Sequence, residues 1–93
     1  MADLSAVHVR VRGRVQGVGF RYFTQQQAVK FELTGWVRNC SNGDVESEAE
    51  GTRDAILLWI ERLRQGPNLA HVEEIKTQWH SPTLSFTSFN IQG

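Results

Sequence analysis

Apolar residues in this chain of 93 residues repeat with two different spacings, and the order of those spacings limits the possible folds more than any other feature. Three valines between residues 7 and 11 alternate with polar side chains, which predicts a strand with one solvated face. From Phe20 to about Leu33 the spacing changes to three and four residues, which is typical of a helix. A second helical spacing begins after Thr52 and ends before Gly66. We therefore expect two helices within a chain that otherwise favours strands.

The segment between the two helical patterns predicts a hairpin. Residues 34–40 favour a strand, and residues 45–50 alternate between small or apolar side chains and glutamates. Asn42-Gly43 stands between the two runs, and this dipeptide is a strong signal for a tight turn. After the second helix, residues 72–79 predict another strand, and residues 85–91 a short terminal one.

The resulting order is strand, helix, strand, hairpin, strand, helix, strand, with an optional last strand. This is the split βαβ or ferredoxin-like pattern, an α+β fold in which two helices cover one face of an antiparallel sheet of four or five strands. Because a βαβ crossover returns the chain to its original direction, the first two strands run parallel with the third between them. The loop at residues 13–19 and the segment near Asn39 are therefore expected at the same edge of the sheet.

Size, charge and cysteine content exclude several classes of protein. The length suits a single domain over residues 1–93, and ten basic residues balance ten acidic ones, so no net field attracts nucleic acid or anionic lipid. Cys40 is the single cysteine, and no Cys/His group has zinc-ligand spacing, so we expect neither a disulfide nor a metal site. No apolar run approaches the roughly 20 residues that span a bilayer, and Met1–Ser5 does not resemble a signal peptide. These features predict a cytoplasmic protein; a monomer is the simplest expectation for its oligomeric state.

Three glycines within residues 13–19 predict a loop of defined shape between the first strand and the first helix. Backbone N–H groups in such a turn, together with the positive end of a helix dipole, favour an anion. Arg21 follows in the first helical turn, where its planar guanidinium can bind a phosphate or carboxylate. The loop lacks the Gly-Lys-Ser/Thr of a P-loop and the third glycine of a dinucleotide fingerprint, so a nucleotide is not the expected ligand.

The residues of this loop resemble the acylphosphatase signature. Residues 11–21 read VRGRVQGVGFR, in which a glycine, Val-Gln-Gly-Val and a terminal Phe-Arg occur in the order found in that family. A second acylphosphatase-like stretch, GWVRN, occupies residues 35–39 and is followed by glycines at 43 and 51. The resemblance covers a core of about residues 7–91. It departs at Glu32, where the family commonly has glycine, and a left-handed conformation there would cost roughly 1 kcal/mol or more.

The resemblance implies a metal-independent acylphosphatase, which hydrolyses the carboxyl–phosphate bond of acyl phosphates to a carboxylate and inorganic phosphate. The arginine and asparagine of the family match Arg21, expected to bind phosphate, and Asn39, expected to position the attacking water. Backbone amides of the loop are expected to bind the phosphoryl group, from Val15, Gln16, Gly17, Val18, Gly19 and Phe20. No cofactor is implied, because a carboxylate whose acid has a pKa of about 4 leaves without an acid or a metal.

A non-catalytic anion-binding or RNA-binding module of the same fold is the alternative. Arg10 and Arg12 lie on the solvated face of the first strand, and sheets of this topology can bind RNA. That strand face lacks stacking aromatics, however, and the glutamates of residues 46–50 are expected to pair with its cations. We therefore expect a small-molecule substrate and no nucleic-acid partner. Cys40 is expected to be a small buried apolar side chain.

Overall fold

A computed structural model describes residues 3–93. The predicted domain of residues 1–93 and the segment Met1–Ser5 both include Met1 and Ala2, which lie outside the described residues. Five strands and two helices follow one another in the predicted order. Their bounds are β1 (Leu4–Arg14), α1 (Phe20–Lys30), β2 (Thr34–Asn39), β3 (Val45–Thr52), α2 (Arg53–Gln65), β4 (His71–His80) and β5 (Phe89–Gln92). Within the described residues, neither helix has the length and apolar character needed to cross a bilayer.

The five strands form one sheet in the order β4-β1-β3-β2-β5, which confirms the ferredoxin-like fold class. β1 pairs antiparallel with both β3 and β4, and β3 pairs antiparallel with β2, so β1 and β2 run parallel with β3 between them as predicted. The fifth strand differs from the predicted antiparallel arrangement, because β5 pairs parallel with β2 and the sheet is mixed. After β4 the chain crosses from one outer strand position of the sheet to the other and reverses direction. The carboxyl end of β5 therefore lies on the same side of the sheet as the carboxyl ends of β1 and β2.

The core lies between one face of the sheet and the two helices. The alternating valines of β1 and Val37 of β2 are fully buried against Ile56, Trp59 and Leu63 of α2. The Trp59 indole N–H donates to the backbone oxygen of Thr24 at 3.1 Å, which joins the two helices. Helix α2 begins after Thr52 and ends before Gly66, both as predicted, and Thr52 caps it by accepting a hydrogen bond from the amide of Ala55.

Helix α1 ends at Lys30, three residues before the predicted end at Leu33. The amide of Glu32 donates to Val29 and that of Leu33 donates to Ala28, a pair of bonds that defines a Schellman motif. This motif needs a left-handed residue at Glu32, whose φ is +60°. The expected strain at Glu32 is therefore present, because a glutamate adopts the conformation that glycine adopts most readily.

The outer face of the sheet carries the predicted cross-strand ion pair of Arg10, whereas Arg12 is exposed and forms no ion pair within residues 3–93. Glu46 is only 7 % exposed, and its carboxylate lies 2.6 Å from His8 Nε2, 2.6 Å from Arg38 Nη2 and 3.5 Å from Arg10 Nη2. Burial raises the pKa of the Glu46 carboxyl, but the hydrogen bonds from His8 and Arg38 outweigh it and hold that pKa below its ordinary value. These cations are thus occupied by a carboxylate of the same sheet.

Candidate active site

The carboxyl ends of β1 and β2 lie on the same side of the sheet, as the topology predicted, and border a cavity of about 190 Å³. The cavity lies where the glycine loop leaves β1 and enters α1. It is lined by Val15, Gly17, Gly19, Phe20, Arg21, Tyr22, Asn39 and Ile91. Six of these eight residues belong to the predicted site, so residues distant in the sequence converge on one point.

The loop backbone is shaped by two left-handed glycines, Gly17 at φ +74° and Gly19 at φ +76°. A Cβ atom at either position would meet no other atom within 4 Å, so the backbone conformation rather than crowding favours glycine there. The amides of residues 16–19 lie between β1 and α1, and within residues 3–93 none of them donates a hydrogen bond to a backbone oxygen. Several N–H groups beside the cavity therefore remain free for an anion.

The start of α1 adds to this positive character. Gly19 is the N-cap and makes no side-chain capping bond, and the first turn contains no acidic residue. The first amides of a helix have no partner within the helix, and the dipole places a partial positive charge at that end. The helix thus begins at the cavity with its own amides and dipole uncompensated.

Arg21 supplies the full positive charge of the cavity. It lies in the first turn of α1, and its Nη1 donates to the backbone oxygen of Gly93 at 3.0 Å. The parallel pairing of β5 with β2 brings this last residue to the cavity edge. The guanidinium is therefore held at the rim by the backbone oxygen of Gly93.

Asn39 is the last residue of β2 and carries an unsatisfied acceptor. Its Oδ1 atom is buried and has no hydrogen-bond partner among the described residues. Most buried acceptors in folded proteins have a hydrogen-bond partner, so an unpaired one is unusual. The Asn39 side chain thus lies at the cavity with its carbonyl oxygen unpaired among the described residues.

Two of the predicted phosphate-binding residues, Gln16 and Val18, do not line the cavity. Val18 is half-buried and packs against the core. The Gln16 side chain donates from Nε2 to the backbone oxygens of Cys40 at 2.8 Å and Asp44 at 2.9 Å. This amide joins the glycine loop to the β2–β3 turn, immediately after Asn39.

Tyr22 and Ile91 line the cavity although the sequence did not single them out. Tyr22 follows Arg21 directly in the first turn of α1. Its position beside a predicted site residue was therefore a signal available in the sequence. Ile91 depends on the parallel pairing of β5, which no local pattern encodes.

Cys40 is half-buried rather than buried, its Sγ lies 4.0 Å from Glu46 Oε1, and it does not line the cavity. Across the described part of the chain, residues 3–93, no three His, Cys, Asp or Glu side chains are grouped closely enough to hold a metal ion.

The acylphosphatase family model matches residues 7–91. An acylphosphatase of Salinibacter ruber is 45 % identical over 86 residues, which cover 92 % of this chain and 90 % of the relative. One from Syntrophotalea carbinolica is 50 % identical, covering 92 % of this chain and 94 % of the relative. The crystal structure of acylphosphatase from Bacillus subtilis superposes with a TM-score of 0.93 at 38 % identity, covering 97 % of this chain and 99 % of that one. The chain therefore belongs to the acylphosphatase family.

Proposed function

We propose that this acylphosphatase binds the phosphoryl group of an acyl phosphate with Arg21 and the loop amides, and that Asn39 positions the attacking water. The observation that carries this proposal is the convergence of Arg21, free loop amides and the Asn39 side chain at one cavity. In the reaction, the water oxygen bonds to phosphorus as the bond between phosphorus and the acyl oxygen breaks. The electron pair stays with the carboxylate, and the proton of the water passes to a phosphate oxygen.

The phosphate-binding groups suit the transition state of this reaction. Phosphoryl transfer passes through a loose transition state whose charge lies on the non-bridging oxygens, so positioned donors provide most of the catalysis. Arg21 offers one full charge, and the amides of the loop and of the start of α1 offer hydrogen bonds around the group. We retain Val15, Gln16, Gly17, Val18, Gly19 and Phe20 as the proposed amide donors.

Asn39 suits the placement of water and not its deprotonation. Its Oδ1 can accept a hydrogen bond from water while its amide donates to a phosphate oxygen, which orients the water for in-line attack. An asparagine is no general base at neutral pH. A carboxylate is a good leaving group, however, and departs without prior protonation.

Replacement of the two side chains tests these roles. Arg21→Ala and Asn39→Ala should each lower kcat for acetyl phosphate by roughly 10²- to 10³-fold, because each removes one preorganised transition-state group. Arg64→Ala and Asn68→Ala, which change exposed residues of the same types, serve as matched controls. Near-normal turnover by both site variants would reject the assignment, and phosphate binding without turnover by the wild-type protein would favour a non-catalytic anion-binding module.

Removal of divalent metals should leave the activity intact. The proposed donors are a guanidinium, backbone amides and a carboxamide, none of which is a typical ligand of Mg²⁺ or Zn²⁺. The measurement is acetyl phosphate hydrolysis before and after dialysis against EDTA. Loss of turnover that is restored by added metal would contradict the proposal.

We also propose a cytoplasmic location and a monomeric state. The lone Cys40 forms no intrachain disulfide, as expected in a reducing compartment, and the proposed site draws all its residues from one chain. Cell fractionation and light scattering of the purified protein test these two points. RNA is not a proposed partner, since Arg10 is paired with Glu46 and the first strand's outer face lacks stacking aromatics.

A further inference from the structure

One carboxylate on the outer face of the sheet is held more closely than an ordinary surface ion pair. Glu46 Oε1 accepts a hydrogen bond from Arg38 Nε at 2.7 Å and lies 2.6 Å from Arg38 Nη2, while Oε2 lies 2.6 Å from His8 Nε2. A planar guanidinium held at two of its nitrogens is fixed in direction as well as in distance. Glu46 does not line the catalytic cavity, so the proposed chemistry does not account for this arrangement.

Glu46 contacts the residue on each side of Asn39. Arg38 precedes Asn39 in β2 and lies directly opposite Glu46 in the register of β2 and β3. Cys40 follows Asn39, and its Sγ lies 4.0 Å from Glu46 Oε1. Neighbouring side chains of a strand point to opposite faces of a sheet. Glu46 therefore holds the chain from the outer face at the point where Asn39 reaches the cavity.

The position of Asn39 depends on such contacts with its neighbours. Asn39 is the last residue of β2, and its Oδ1 makes no hydrogen bond among the described residues, so this atom does not anchor the side chain. Residues 40–44 beyond it form the turn to β3. Gln16 holds this turn from the glycine loop by donating to two of its backbone oxygens. Glu46 supplies the corresponding contacts on the outer face, so the end of β2 is held from two directions.

We infer that Glu46 is a positioning residue of the reaction: through Arg38 it holds the end of β2, so that the Asn39 carboxamide keeps its place beside the phosphate-binding loop. This inference rests on the role proposed for Asn39. Glu46 touches no reacting atom and exchanges no proton with the substrate. Its effect is geometric, because a displacement of about 1 Å in a group that orients a reactant can lower a rate by about 100-fold.

Glu46→Gln keeps the shape of the side chain and removes its charge. In acetyl phosphate hydrolysis its kcat should fall roughly three- to tenfold with KM changed less than about twofold, because Arg21 and the loop amides still bind the phosphoryl group. Glu48→Gln is the matched control and should keep the wild-type kcat. Glu48 lies two residues further along the same face of β3 and also contacts a histidine, His80 at 2.9 Å, but its partner in β2 is Trp36.

A double-mutant comparison separates positioning from a general loss of structure. In the Asn39→Ala background, Glu46→Gln should leave kcat unchanged, because the group that it positions is absent. Urea midpoints of all variants identify a temperature at which each is fully folded. Arg38→Met tests the same link if Glu46→Gln does not fold, since the Arg38 side chain is 51 % exposed and tolerates replacement, and it should lower kcat by a similar factor.

A wild-type kcat in folded Glu46→Gln or in Arg38→Met would overturn the inference. So would an equal fall in Glu48→Gln, or a fall by the same factor when Glu46→Gln is added to Asn39→Ala. The proposed function is assessed separately, by acetyl phosphate turnover in the wild-type protein and its loss in Asn39→Ala. An enzyme that depends on Asn39 but is unaffected by Glu46→Gln would keep the function and reject the positioning role.

Discussion

Glu32 occupies a left-handed position at the end of α1, with φ +60°. Glu32→Gly should raise the free energy of unfolding by about 0.5–1 kcal/mol, because relief of the left-handed strain exceeds the entropy that glycine adds to the unfolded chain. Urea unfolding followed by circular dichroism measures this difference. The two amide bonds of the Schellman motif involve only backbone atoms and are retained in the variant.

The same substitution at an ordinary helical position is the control. Glu61→Gly lies at an exposed site inside α2, where glycine should lower the free energy of unfolding by about 1 kcal/mol. Opposite signs for the two variants would show that backbone conformation determines the effect. A destabilised Glu32→Gly protein would contradict the assignment of strain.

The glycine loop and the β2–β3 turn are two elements joined by one side chain. Gln16 donates to the oxygens of Cys40 and Asp44, and Cys40 follows Asn39 directly. The position of Asn39 relative to the loop amides therefore depends on this bridge. Small displacements of a positioned group can reduce a rate strongly without unfolding the protein.

Gln16→Met, which keeps the length of the side chain but removes both donors, should lower kcat by roughly ten- to a hundredfold with a smaller effect on KM. Steady-state kinetics with acetyl phosphate measure the split, and the urea midpoint reports any loss of stability. Gln78→Met, at an exposed position on β4, is the matched control. If kcat falls only in proportion to the unfolded fraction, Gln16 has a structural role and not a positioning one.

At the scale of the whole molecule, a buried carboxylate holds the crossover segment between β4 and β5. Glu50 is 4 % exposed and accepts hydrogen bonds from Thr83 N and Leu84 N at 2.9 Å and from Thr83 Oγ1 at 2.8 Å. Burial raises the pKa of the Glu50 carboxyl, but these bonds outweigh it and hold that pKa below its ordinary value. The stability that Glu50 provides is therefore complete above its unfolded pKa of about 4.3, and it is lost as pH falls through the lower folded pKa.

The free energy of unfolding should thus fall between about pH 5 and pH 2, and it should fall less steeply in Glu50→Gln, which takes up no proton at this site. Urea titrations across that range measure the slope in both proteins. Glu73→Gln, which changes an exposed carboxylate on β4, is the control and should keep the wild-type slope. Identical slopes for wild type and Glu50→Gln would show that Glu50 contributes nothing to the acid dependence.

Most of the framework of the fold could be predicted from the sequence because its signals are local. The alternating valines of β1, the Thr52 cap of α2 and the Asn42-Gly43 turn each depend on residues a few positions apart. The end of α1 was misplaced by three residues because the capping bonds of Glu32 and Leu33 involve the backbone alone. The direction of β5 was missed because it depends on a crossing between opposite edges of the sheet.

The sequence by itself determined the order of the elements, the shape of the glycine loop, and, through the resemblance, the choice of Arg21 and Asn39. Only the tertiary structure decided that Gln16 faces the β2–β3 turn, that the Asn39 carbonyl has no partner among the described residues, and that Ile91 lines the same cavity as Tyr22. The physical reason is distance along the chain. Backbone preferences act between near neighbours, whereas Tyr22 and Ile91 reach the same cavity only once β5 has paired with β2 and α1 has packed over both strands.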